Sequence, residues 1–223
     1  MLRINELRKI HRGRIMNTTQ LARRHALGLP AGSVRALHVL IIVGLTCALI
    51  AWPGERAVVI PAYLIYLIFL MVGHYFASHG VSIAGRDSGQ PSPLYLPGGT
   101  VRLLVILALG GAVGWKMYSN PEGLQRQFDA SVQALAEQPL VPAMILGGFF
   151  LGVILRGVVG RTDPPQWLQD FEAWLSIIAL IGLGVAALIH LVIVPSLEIP
   201  WLPLPTWEGI LGAVIAFYFG ERS

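Results

Sequence analysis

Charge is scarce in this chain, and acidic charge scarcer still. Only 13% of the 223 residues are Asp, Glu, Lys or Arg, against about 25% in an ordinary soluble domain, which excludes a water-exposed globular fold. The 12 acids all stand in loops or at the edges of apolar runs, Glu208 among the latter. Proton- or sodium-coupled transport usually leaves a carboxylate inside a span, so this distribution argues against a coupled transporter. A single cysteine, Cys47, excludes an intrachain disulfide and a cysteine-clustered metal site. The long apolar segments do not alternate with polar residues, which excludes a transmembrane β-barrel. No Ser-His-acid, paired-carboxylate or phosphate-loop pattern stands out, so the chain reads as non-enzymatic, with no catalytic residues and no metal ligands.

What the chain has in abundance is apolar length: hydrophobic residues make up 55% of it. Six runs approach the roughly 20 residues that span a bilayer core as a helix. They are Val34 to Trp52, Val58 to Ala77, Val101 to Tyr118, Val141 to Val159, Trp174 to Val194 and the short Trp207 to Gly220. With six spans, the termini and the loops after spans two and four share one side. That side collects Arg3, Arg8, Lys9, Arg12, Arg14, Arg23, Arg24, Arg35, Arg86, Arg102, Arg156, Arg161 and Arg222, leaving Arg56, Lys116 and Arg126 opposite. The bias predicts cytoplasmic N- and C-termini in an inner membrane. The first run follows 33 mostly polar residues without a small-residue cleavage site, and reads as a retained span.

The chain also repeats itself. Leu29-Pro-Ala-Gly-Ser-Val-Arg35 returns as Leu96-Pro-Gly-Gly-Thr-Val-Arg102, and Leu29 to Gly44 matches Leu96 to Gly111 at eight of sixteen positions. Val59-Ile-Pro-Ala62 and Leu140-Val-Pro-Ala143 open spans two and four alike, and Tyr75-Phe-Ala77 resembles Tyr218-Phe-Gly220. The fold class is therefore an all-α integral membrane protein, a six-transmembrane-helix bundle built from two-helix hairpins used in parallel. Two copies are clear and a third is weaker. Residues 1–33 form a basic cytoplasmic arm, 34–95 the first hairpin with its loop, 96–160 the second with an outer amphipathic helix, and 161–223 the third.

In each motif Pro and Gly break the preceding chain, and Ser33 or Thr100 is placed to cap the new helix. Arg35 and Arg102 then occupy the first turn, where the helix dipole disfavours a cation. A lipid phosphate held by Ser33, Arg35, Thr100 and Arg102 resolves the conflict, whereas simple snorkelling of the arginines is the plainer account. Small residues four apart mark surfaces for close helix approach: Gly110 and Gly114, Gly148 and Gly152, Gly182 and Ala186.

The first 33 residues carry seven Arg or Lys, with Leu2, Ile4, Leu7 and Ile10 at near-helical spacing. This predicts an amphipathic helix on the anionic cytoplasmic leaflet, with lipid and not nucleic acid as its partner. Ser119-Asn-Pro-Glu122 signals a helix start, and Leu124, Phe128, Val132 and Leu135 form an apolar stripe predicted to lie on the outer membrane face. A second entry, Asp163-Pro-Pro-Gln-Trp167, leads into Leu168, Phe171 and Trp174 at the inner interface. Trp52, Trp115, Trp201 and Trp207 make an outer aromatic belt, and His79 to Gly99 reads as a flexible connector.

Among the histidines, His38 lies one turn into span one and His74 near the matching end of span two, at a depth suited to a haem between them. The aligned positions in the second hairpin, Val105 and Leu155, carry no such ligand, and intramembrane histidines also serve as interhelical donors. No cofactor is the leading expectation. The function expected is that of an oligomeric scaffold, or of a structural or accessory subunit bound to other membrane subunits. A passive channel or permease is the alternative, and a haem-binding redox subunit the second alternative.

Overall fold

A computed structural model describes residues 33–52, 59–77, 94, 100–159, 166–197 and 204–221. Among these the chain is helical, with no strand. The helices are α1 (Ser33–Ile50), α2 (Ala62–Ala77), α3 (Thr100–Ser119), α4 (Pro121–Glu137), α5 (Leu140–Val159), α6 (Gln166–Leu188) and α7 (Pro205–Glu221). After Leu188, α6 continues through a π-helical turn, Ile189–Ile193, into a last turn, Val194–Ser196. The expected basic arm, the connector apart from Leu94, and Trp201 lie outside the described residues.

Four segments are long and apolar enough to cross a membrane: Ser33–Ile50, Thr100–Ser119, Leu140–Val158 and Ala173–Ser196. Helix α2 is also apolar but has 16 residues, and α7 has 17, about 24 and 26 Å at 1.5 Å per residue. Five of the six apolar runs read from the sequence coincide with one helix to within about four residues, and the remaining one, Trp174 to Val194, lies inside α6 and its continuation, which begin eight residues earlier at Gln166.

Local chemistry sets the breaks. Pro53 follows the end of α1, and Pro61 precedes α2, whose first turn closes through Leu64 N–H to the Pro61 carbonyl at 3.1 Å. Between α3 and α4, Asn120 caps the new helix by accepting from Gly123 N–H at 2.8 Å, with Pro121 at the first helical position.

Helices α1, α2 and α7 form the centre. Ile42, Leu49, Tyr63, Leu64, Leu67, Met71, Ile215 and Phe219 on them are buried, joined by Ile145 of α5 and Leu183 of α6. The outer helices differ sharply: 61% of the α1 segment is buried but 17% of α3 and 17% of the α5 segment. All-round apolar helices with so little burial are compatible with a membrane protein.

The most extensive helix contact joins α5 to α7, and it holds a constant register. Met144 meets Gly209, Gly148 meets Ala213, Gly152 meets Phe217, and Arg156 donates to the Glu221 carbonyl at 3.1 Å. Every pair is 65 residues apart, so the two helices run in the same direction. Helices α1 and α3, which carry the sequence repeat, are likewise parallel. Arg102 and Val105 share a shallow crevice with Val39 and Val43, and at the other end Lys116 Nζ donates to the Trp52 carbonyl at 2.7 Å. That buried lysine sits at the negative end of α1, where a cation is favoured.

The amphipathic helix α4 seats a partly polar face on the bundle. Its buried face is Leu124, Gln127, Ser131 and Ala134, while Phe128 and Val132 of the expected apolar stripe are exposed. The reason is unmet backbone polarity at the α1–α2 turn. Gln127 Nε2 donates to the Leu49 carbonyl at 3.0 Å, and Ser131 Oγ accepts from Ile60 N–H at 3.1 Å while donating to the Gln127 carbonyl at 2.7 Å. In an apolar surrounding these groups need protein partners, so α4 brings Gln127 and Ser131 inward between Leu124 and Leu135 and leaves Phe128 and Val132 outside.

Candidate functional site

Three features compete for a functional role: the glycine faces, a polar cluster at the start of α1, and a second polar cluster at the start of α7.

The glycine pairs divide cleanly. A Cβ added at Gly148 would overlap the Ala213 carbonyl, and one at Gly152 the Phe217 carbonyl, with Gly220 equally tight against Phe149. These are backbone-to-backbone contacts that only glycine permits. At Gly182 the added atom would stand 2.6 Å from Leu211 Cδ1, and Ala186 is buried one turn on. Gly110 and Gly114, by contrast, have nothing within 4 Å of an added Cβ, and neither does Gly111. They lie on a face of α3 with Leu103, Leu107, Met117 and Tyr118, all exposed.

The first polar cluster gathers the motif arginine and both candidate histidines. Arg35 Nη1 lies 3.2 Å from His74 Nε2, and its guanidinium sits 5.9 Å from the centre of the Phe219 ring. His38 is fully buried, bonds the Val34 carbonyl through Nδ1 at 2.8 Å, and packs on Tyr218 with ring centres 5.5 Å apart. His74 faces Phe219 edge-on at 6.0 Å. The two imidazoles thus occupy the same end of the bundle, but each meets a different ring of α7. Ser33 is buried and its Oγ accepts from Leu94 N–H at 2.8 Å, so the first capping hydroxyl tethers the approach to the second copy of the motif. Thr100 and Arg102 are half-buried, and Arg102 lines the crevice between α1, α2 and α3.

The second cluster was not apparent in the sequence. Glu208, in the first turn of α7, is 1% exposed, and its Oε1 lies 3.7 Å from Nε2 of His190, itself 5% exposed. The fully buried Tyr63 of α2 packs against the same end of α7, its Cβ 3.7 Å from where a Cβ at Gly212, one turn after Glu208, would stand. An acid at the edge of an apolar run was expected to face water; instead α2, α5 and α6 enclose it. Two weak signals were present: Pro195, five residues after His190, and a glutamate directly preceding Gly-Ile-Leu-Gly. Proline donates no N–H and crowds the carbonyl four residues back, and helices answer such a defect by opening locally. The π turn at Ile189–Ile193 is that opening, and such turns are frequent at functional sites.

Ten residues of α7 separate Glu208 from Tyr218, about 15 Å of helix. Leu211, Ile215 and Ala216 of α7 and Leu64 and Leu67 of α2 are buried between the two ends. The polar clusters are therefore separated by an apolar layer.

No protein-family model, curated protein or solved structure matches this chain. Its function has to be argued from these residues alone.

Proposed function

We propose that this chain is a non-enzymatic, six-span membrane protein that self-associates through α3, acting as an oligomeric scaffold or accessory subunit of a membrane complex. The six-span count draws support from helix direction. Because α5 and α7 are parallel and in constant register, α6 has to return across the same layer between them, and α7 crosses that layer despite its 17 residues. The three hairpins then enter from one side, with both termini on the cation-rich cytoplasmic face. Anionic lipid is the natural partner of that face.

The observation that carries the oligomer is the open Gly110–Gly114 face beside the closed Gly148–Gly152 face. Within the chain, glycines four apart are matched by a parallel helix. Two copies inserted in the same orientation, related by a two-fold axis along the membrane normal, bring α3 against α3 in the same parallel sense. The occupant is therefore a second copy of this chain. The haem reading has less support, because His38 and His74 are engaged by separate residues. A passive pore has less support because of the apolar layer.

Native mass spectrometry of the protein released with its lipids tests the proposal. The wild type is expected at a multiple of the 24.2 kDa chain. Gly110→Leu with Gly114→Leu is expected to shift it to the monomer with unchanged helicity. A monomeric wild type, or a double variant that still assembles, rules α3 out as the interface.

A further inference from the structure

We infer that Glu208, His190 and Tyr63 form a buried binding site for one proton, held on the Glu208 carboxyl and exchanged with the aqueous phase at the end of the bundle where α7 begins. The inference is independent of self-association through α3.

The geometry lacks the short contact of a hydrogen-bonded ion pair. A charge-assisted N–H···O bond is about 2.7–2.9 Å long, whereas the Glu208 Oε1 to His190 Nε2 distance is 3.7 Å. Among the described residues, neither carboxylate oxygen of Glu208 has a hydrogen-bond partner, and neither does the Tyr63 hydroxyl. An ionised carboxylate withdrawn from water gathers donors or loses its charge. Among the described residues no donor lies within hydrogen-bond distance of the carboxylate, so the low-cost state is the neutral acid beside a neutral imidazole.

Among the described residues the charged and titratable groups around the site are few. Helix α2 contributes Tyr63, its His74 standing at the far end against Phe219. Helix α5 contributes no charge near Glu208: its Met144 packs on Gly209, and its Arg156 bonds the Glu221 carbonyl at the opposite end. Helix α6 contributes His190, placed by the π turn. Exchange toward the other face is blocked by the apolar layer, but the residues just before Glu208, Pro205, Thr206 and Trp207, are exposed. A proton site open to one face alone senses the acidity of that face and does not conduct. Ionisable groups inside a membrane bundle serve such roles repeatedly.

Infrared difference spectroscopy of the full-length protein in lipid vesicles tests this. At neutral pH the wild type is expected to show a protonated-carboxyl carbonyl band that Glu208→Gln removes and that declines reversibly as the bath is made alkaline. Tyr63→Phe and His190→Gln are each expected to shift the band's frequency, and they keep the test open if Glu208→Gln does not accumulate. Absence of any such band in the wild type overturns the site in favour of an ionised pair. A band indifferent to pH shows a proton that never exchanges. A band unmoved by both neighbours shows a lone acid; either result also overturns the proposal.

Discussion

Gly152→Ala is expected to destabilise the folded chain by about 1–3 kcal/mol, the usual range for forcing a methyl group into a filled interior, and Gly152→Leu is expected to prevent accumulation of folded protein. The obstacle is what makes the effect large. The added carbon at Gly152 meets the Phe217 carbonyl and the Glu221 N–H, and at Gly148 the Ala213 carbonyl. These are main-chain atoms held by the hydrogen bonds of α7, and no rotamer change relieves the overlap. Separation of α5 from α7 is the only remedy, and this pair is the largest helix contact in the bundle. Gly184→Ala of α6 is the matched control: nothing lies within 4 Å of its added carbon, so the change is expected to stay within about 1 kcal/mol, the helix-propensity difference included. Unfolding followed by circular dichroism in one detergent distinguishes the two. Equal melting of both variants would show that α5 and α7 do not pack through these glycines.

Ser131→Ala is expected to cost about 1–3 kcal/mol, the penalty for leaving a buried donor without its acceptor. The donor is Ile60 N–H, 3.1 Å from Ser131 Oγ, at the entry to α2. Gln127→Leu removes the partner of the Leu49 carbonyl at the exit of α1. Because Ser131 also bonds the Gln127 carbonyl, the two effects are expected to be less than additive. Hydrogen exchange supplies the specific readout: the Ile60 amide is expected to lose protection in Ser131→Ala and to keep it in Ser131→Thr. If that amide exchanges equally slowly in the wild type and Ser131→Ala, α4 does not seal the α1–α2 turn.

The same stretch shows where sequence reasoning stops. The start of α4 was legible because Asn120, Pro121 and Glu122 act on their own backbone, and capping is local chemistry. The buried face was not legible. Nothing in the sequence around the stripe of Leu124, Phe128, Val132 and Leu135 announces that the α1–α2 turn presents a carbonyl and an N–H, which Gln127 and Ser131 meet. The glycine pairs illustrate the same limit. Gly110–Gly114 and Gly148–Gly152 are indistinguishable as spacings, yet one meets α7 and the other faces outward. Glu208 is the third case, since Pro195 and the glycines after Glu208 hint at local irregularity but do not say that His190 and Tyr63 lie beside it.

By itself the sequence determined the helical class, the positions of six apolar helices and the local signals that start and stop them. Each of these follows from composition or from contacts within about four residues along the chain. Only the tertiary structure decided which glycines are filled, which face α4 buries, that Arg35 turns inward to His74, and that one carboxylate is enclosed. In a helix whose every side is apolar, periodicity does not mark an inner face, so the choice falls to backbone approach and to polar groups that have to find one another within the bundle.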